Sequence, residues 1–330
     1  MRKKIIICAM AAALIFALIG TMLKLYTESI PKELIEYKSS DKWGADGYTH
    51  MAAYMNTDAD FTANTMLRIK SEIEDAYKVD SIETSQALYS ASCEVSATLF
   101  KPDSDRTSSC NATLYLGDYF KFHPFELVEG SYPDTDSAMT DALLIDELAA
   151  WQLFGTQRGV VGLEVNIGND IYVVCGVTAL PDGVYNEVYG ESPRVYINAD
   201  SSYYRSSLSD RAFTSFEAML PDPITNFAQN TLDGALSSFD PVIKDIDTRF
   251  GGEALDKVRE GQTALITDSN DTEYPYTEKA MIILSLKAAD VYAVQKVMFY
   301  ISLICVAVLF FAIFNPVVKF IEKNLSKLKF

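Results

Sequence analysis

The chain has 330 residues, enough for one large domain or two small ones plus anchors. It is 49% hydrophobic and 22% charged, the balance of a globular protein, and its net charge of −17 disfavours nucleic acid and anionic lipid as partners. Only His50 and His123 are histidines, which leaves little for a zinc site or a histidine-based triad.

The first predicted element is a membrane span. Ile5 to Leu23 is 19 residues without a charge, and at about 1.5 Å per residue such a helix crosses a hydrocarbon core of roughly 30 Å. Arg2, Lys3 and Lys4 precede it as in a signal peptide. Cleavage after Gly20 would put Leu18 where a small residue is needed, so the segment reads as an uncleaved anchor. A polar stretch follows to about residue 61, continuing the helix before loosening at Trp43 to Gly47. Asn64 to Val79 reads as a helix with Leu67, Ile73, Ala76 and Tyr77 on one face. Ala91 to Phe100 and Cys110 to Leu116 alternate as strands around the turn-rich KPDSDRTSS. A turn centred near Lys101–Pro102 places Cys93 opposite Cys110, a candidate disulfide in an extracytoplasmic compartment. The other reading is buried thiols, as for Cys175 in YVVCGV.

His123, in FKFHPF, reads as a turn or surface residue. ALLI (142–145) is a short buried strand. Asp146 then caps a helix in which Leu148, Trp151 and Phe154 recur, with Gly155 as its stop. LEVNI, the turn Gly168–Asn169 and IYVVCGV form a hairpin, and Trp151, Phe154 and Tyr172 read as core. FTSFEAMLP is a strand and Ile224 to Leu236 a helix. Pro181, Gly183, Gly190 and Pro193 cluster where two lobes of an α+β domain would join, near 180–195.

Val297 to Phe314, 18 residues without a charge, is the second span. Lys319, Lys323, Lys327 and Lys329 follow it against a single Glu322. Basic flanks at both ends place both termini in the cytoplasm and residues 26–295 outside. Of the 28 Lys and Arg, 19 lie in that outer segment, and of the 45 Asp and Glu, 44 do, so it carries about −25. The division is residues 1–25 for the basic tip and first span, 26–295 for the outer domain, 296–316 for the second span and 317–330 for the tail. After Pro316 the tail reads as a short amphipathic helix. Phe320 lies on its apolar face, with Lys319, Lys323 and Lys327 beside it, as a membrane-surface or coupling element.

Three runs in order, GDYFKFHPFELVEGSYP, ALLIDELAAWQLFG and GVVGLEVNIGNDIYVVCGV, resemble the periplasmic core domain of MacB/FtsX-type ABC transporter permeases. Tyr119, Phe120, Leu127 and Gly130 match the first family element. Glu147, Leu148, Ala149, Leu153, Phe154 and Gly155 match the second, and Gly162, Ile167, Tyr172, Val174, Gly176 and Val177 the third. The resemblance implies a two-lobed MacB-like extracytoplasmic core domain on two transmembrane helices. It implies a non-catalytic permease-like component acting with a separate ABC ATPase subunit and a further permease subunit, as a homo- or heterodimer in the plasma membrane. Family permeases continue into two further spans, whereas this sequence runs FAIFNPVVKFIEKNLSKLKF, which implies a two-span form. The alternative is a stand-alone membrane-anchored binding or sensing module.

No GxxxxGK[ST], G-x-S-x-G or H-E-x-x-H run occurs, so no enzyme activity, cofactor or metal is expected. The acidic clusters DTDSAMTD (134–141) and DSNDTE (268–273) lack the glycine that a calcium loop of the EF-hand kind needs.

Overall fold

The computed structural model describes residues 2–37, 39–43, 46–133, 140–180, 182–190, 192–207, 212–260 and 274–325. They form two compact units: a sheet unit of residues 33–249 and 263–283, and a helical unit of residues 1–32, 250–262 and 284–330.

The sheet unit contains β1 (Tyr48–Tyr54), α3 (Ala63–Val79), β2 (Leu88–Phe100), β3 (Thr107–Gly117), α4 (Tyr119–Phe122), β4 (Leu127–Gly130) and β5 (Ala142–Asp146). It continues with α5 (Glu147–Phe154), β6 (Glu164–Ile167), β7 (Asp170–Thr178), α6 (Val184–Tyr189), β8 (Arg194–Asn198), α7 (Ser202–Ser207), β9 (Ser215–Pro221), α8 (Phe227–Leu236) and β10 (Val242–Asp245). A short α2 (Ser39–Trp43) precedes β1. The strand order is β10-β1-β9-β2-β3-β8-β5-β7-β4, with β6 paired to both β2 and β7. Because β6 bridges those two strands, the path β2–β3–β8–β5–β7–β6 closes into a small barrel. Of the remaining strands, β4 pairs with β7, and β9, β1 and β10 extend from the far end of β2.

Local chemistry explains the barrel elements. Ile167 pairs with Asp170 across the two-residue turn Gly168–Asn169. The Asp146 side chain accepts from Ala149 N at 2.7 Å, and Gly155, at φ 72°, caps the other end of α5 by donating to Trp151 O. That helix buries Ala149, Ala150 and Leu153 against the barrel. Trp151, expected in the core, lies on its outer side and is 60% exposed, because at about 100° per residue it stands well around the helix from Ala149, Ala150 and Leu153. Tyr172 is fully buried, as expected.

Residues 182–190 build a turn and α6 within the barrel end. β8 still pairs within the barrel, with β3 and β5, and β9 is the next strand in the chain. A strand also stands in the polar stretch after Gly47, where none was expected: β1 pairs with β9 along its whole length. In α3 the buried stripe is Met66, Ile69, Ile73 and Tyr77, and Leu67 is exposed.

β1 and β9 are covered on both sides. Met51 and Ala53 with Phe216, Ala218 and Leu220 face the main apolar core, to which α3 and α8 contribute. The alternate residues His50, Ala52, Glu217 and Met219 face the opposite side and are also buried. That second face carries the buried charges.

In the helical unit, α1 (Arg2–Ser29) and α10 (Tyr276–Leu325, of which residues from 284 on belong here) run antiparallel. Ser302 donates to Ala13 O at 3.3 Å, and Gly20 lies beside Met298. α9 (Gly252–Glu260) joins α10 through the Asp256–Lys296 ion pair. Ile6–Glu33 and Tyr276–Ala312 are each long and apolar enough to cross a membrane. The helix expected to restart at Pro316 is instead continuous with α10 to Leu325.

Gly130 and Gly176 lock β4 onto β7. Gly130 has φ 80°, and a Cβ there would meet Cys175 O at 2.2 Å. Gly130→Ala is therefore expected to destabilise the full chain by at least about 2 kcal/mol. Gly159→Ala, also at positive φ (74°) but with nothing within 4 Å, separates the two effects. It should cost only about 1 kcal/mol in thermal unfolding, and equal losses at both sites would refute the contact argument.

Candidate functional site

The segment that follows the first apolar helix enters the sheet unit through a carboxylate. Glu36 is fully buried between Leu34 and Tyr37, and its Oε1 lies 2.8 Å from His123 Nδ1. His123 Nε2 lies 2.7 Å from Glu217 Oε2 on β9. The other Glu217 oxygen lies 3.2 Å from His50 Nε2, and His50 Nδ1 is 2.8 Å from Ser39 Oγ. The chain Glu36–His123–Glu217–His50–Ser39 thus links the α2 region to α4, β1 and β9. Tyr185 of α6 donates to Glu36 Oε2 and accepts from Ile35 N at 3.2 Å. The rings of Phe122 and Tyr119 pack on His50 and His123, at centroid distances of 4.7 and 4.4 Å.

The protonation of this chain follows from its geometry. Both nitrogens of His123 face carboxylate oxygens, so both must donate, and only the imidazolium does that. Burial alone pulls His123 down, but Glu217 and Glu36 outweigh it and raise the group to about 10. Burial likewise pushes Glu217 up, and His123 and His50 bring it down to about 2. Across neutral pH the centre is therefore a fixed cation between two anions. It holds structure, and its proton is not available to a base-catalysed step.

The first turn of α10 enters the sheet unit in the same way. Arg249, just after β10, grips Glu278 with two parallel bonds, Nη1 to Oε2 at 2.6 Å and Nη2 to Oε1 at 2.7 Å. Glu278 is fully buried and Arg249 nearly so. Burial lowers the Arg249 guanidinium, yet Glu278 more than restores it and holds it above its ordinary value. Burial and Glu278 together push the adjacent Tyr54 hydroxyl well above its ordinary value, so it remains a donor. Two residues earlier, Tyr276 and the edge-on ring of Tyr189 both lie against the Arg194 guanidinium, at 3.9 and 3.7 Å. Tyr276 N donates to Glu94 at 3.2 Å, and its hydroxyl meets Tyr196 at 3.1 Å. Each segment leading to an apolar helix is thus fastened to the sheet by a buried carboxylate.

Residues 5–229, from the first helix through β9 into α8, match the family of the MacB-like periplasmic core domain. The chain belongs to this family. No curated protein matches it. Among solved structures it is similar to the periplasmic region of MacB from Actinobacillus actinomycetemcomitans, with 15% identity and a TM-score of 0.43, over 66% of this chain and 94% of that one. It is also similar to the extracellular domain of the noncanonic ABC-type transporter YknZ from Gram-positive bacteria, with 16% identity and a TM-score of 0.40, over 58% of this chain and 92% of that one. The MacB-like match ends at residue 229, so Arg249 and Glu278 lie beyond it, whereas Glu36, His50, His123 and Glu217 lie within it.

The residues that carry the MacB-like resemblance build the frame of the core domain. Tyr119 and Phe120 are buried in α4, Leu127 and Gly130 form β4, and Gly176 receives β4 on β7. Of the residues singled out from the sequence, Cys93 pairs with Leu114 and Cys110 with Ala97, and both remain thiols. The hairpin turns two residues later than expected. This offset of four residues, roughly 13 Å along the strands, is well beyond disulfide reach. Burial pushes the Cys110 thiol up to about 12, which makes it inert as a nucleophile. Lys319, Phe320 and Lys323 lie on the helical backbone of α10. Lys327 and most of both acidic clusters lie outside the described residues.

His123, expected at the surface, is 2% exposed. The buried charges were not singled out from the sequence. The signal for them is a charged residue inside an apolar run, as in SFEAMLP around Glu217 and KELIEY around Glu36. Each such charge requires a partner, and the histidines and Arg249 supply it.

Proposed function

We propose that this chain is a permease-like component of an ABC transporter or mechanotransmission complex, acting with a separate ATPase subunit and a further permease subunit, without catalysis of its own. The observation that carries this reading is the pair of buried ionic anchors, Glu36–His123 and Glu278–Arg249, at the points where the two helix-bearing segments join the sheet. A domain that must follow displacements of its helices needs stiff roots. Buried charge pairs give them, because separating either pair exposes an unpaired charge to a low-dielectric interior at a cost of about 3–5 kcal/mol. Membership in the MacB-like family and the two apolar helices support placement at the plasma membrane with the sheet unit outside. The basic residues at both ends support cytoplasmic termini.

Gentle detergent purification of the full chain should bring down an ATPase with a phosphate-binding loop of the GxxxxGK[ST] kind. Deleting residues 317–330, or replacing Lys319, Lys323 and Lys327 with Glu, should release it at unchanged expression. Isolation without any ATPase, together with an unaffected phenotype after the deletion, would sink the coupling reading in favour of a stand-alone module.

A further inference from the structure

Strand β2 is paired on both edges only near its ends. One edge pairs with β3 from Ser90 to Phe100. The other meets β9 at Leu88–Ser92 and β6 at Leu99–Phe100, and among the described residues no strand meets residues 94–98 on that side. The bonds at either end fix which backbone groups point where. Ser92 O accepts from Thr214 N at 3.1 Å, toward β9, and Lys101 N donates to Arg106 O at 3.0 Å, toward β3. Alternation along the strand then turns the N–H and C=O of Glu94, Ser96 and Thr98 toward the open edge. Among the described residues no backbone group bonds them there.

A cavity of about 270 Å³ lies against this edge, lined by Thr57, Cys93, Glu94, Val95, Thr214 and Tyr274 among others. Ser96 and Thr98 are exposed, so the edge runs from the cavity to solvent. Donors and acceptors repeating at about 6.6 Å match one chemical class, an extended polypeptide backbone. The gap between the β9 and β6 pairings spans about 20 Å, room for roughly five residues. Glu94 is the one charged residue lining the cavity among the described residues. Its buried counter-charge Arg194, at 3.6 Å, and Tyr276 N, at 3.2 Å, both meet Oε1, which leaves the other carboxylate oxygen for a ligand.

We infer that the open edge of β2 binds an extended peptide segment bearing a basic residue, added to the sheet as a strand in the gap between β9 and β6. This site stands independently of any ATPase coupling. The test uses the full chain in detergent micelles and a fluorescein-labelled pentapeptide alternating lysine, valine and threonine, followed by fluorescence anisotropy. Saturable binding is expected, weakened at least about tenfold when alternate peptide amides are N-methylated, since two or more strand bonds are then lost. Exchanging its lysines for glutamate should weaken it further. Ser96→Pro should abolish binding, because it removes an N–H facing the gap while leaving the β3 ladder intact. No saturation below about 1 mM, equal binding of the N-methylated peptide, or unchanged binding to Ser96→Pro would each overturn the site. The N-methylation comparison is made on the unaltered protein, so it decides the matter even if Ser96→Pro fails to fold.

Discussion

Glu278→Leu is expected to destabilise the sheet unit by about 3–5 kcal/mol, enough to unfold a marginal domain. The loss comes less from the missing bonds than from what is left behind. Arg249 is 7% exposed, its guanidinium is gripped at two points by Glu278, and it cannot discard its charge as a carboxylate can. Arg249→Met should cost less, because the methionine keeps much of the arginine's packing and Glu278 keeps its bond from Tyr54. The double variant Arg249→Met, Glu278→Leu should recover most of the loss, since two apolar side chains fill the volume of a desolvated pair at little net cost. Thermal or denaturant unfolding of the four proteins in detergent measures this. Additive losses in the double variant would show that the two residues act separately and would remove Arg249–Glu278 as an anchor of α10.

Much of the barrel end is legible in the sequence because its signals are local. The Gly168–Asn169 turn, the Asp146 cap and the Gly155 stop each act within a few residues, and the hairpin and α5 follow from them. The opposite end is less legible. In β1, YTHMAAY is buried on both sides, so the alternation that marks a half-exposed strand is absent and no strand stands out there. Trp151 shows the converse, where a three-residue recurrence suggested a stripe but helix geometry turned the ring outward. The anchors were the least accessible, because their partners are distant in the chain: His123 lies 87 residues from Glu36 and 94 from Glu217. Local pattern shows that a buried carboxylate needs a cation, and only the fold says which one. The disulfide expectation failed on a smaller scale, since a two-residue shift of the turn moves Cys93 and Cys110 apart by twice that along the pair.

The histidine anchor should announce itself through pH. His123 is raised from 6.5 to about 10, so its contribution to stability is complete below about pH 6.5 and is lost as pH climbs toward 10. Glu217 is lowered from 4.5 to about 2, so its contribution is complete above about pH 4.5 and is lost as pH falls toward 2. The network is therefore at full strength between roughly pH 4.5 and 6.5 and weakens on the alkaline side by at most about 1.4 kcal/mol per pH unit. His123→Phe keeps the ring that packs on Tyr119 but leaves Glu36 and Glu217 buried without their cation. It should lose about 3–5 kcal/mol near pH 6.5. Part of that loss should be regained toward pH 4, where Glu217, no longer held down by His123, takes up a proton, and the difference from the unaltered chain should narrow again toward pH 10 as His123 itself discharges. A stability difference flat from pH 4 to 10 would mean that His123 contributes packing alone, and the ionic anchor at the root of the first helix would have to be abandoned.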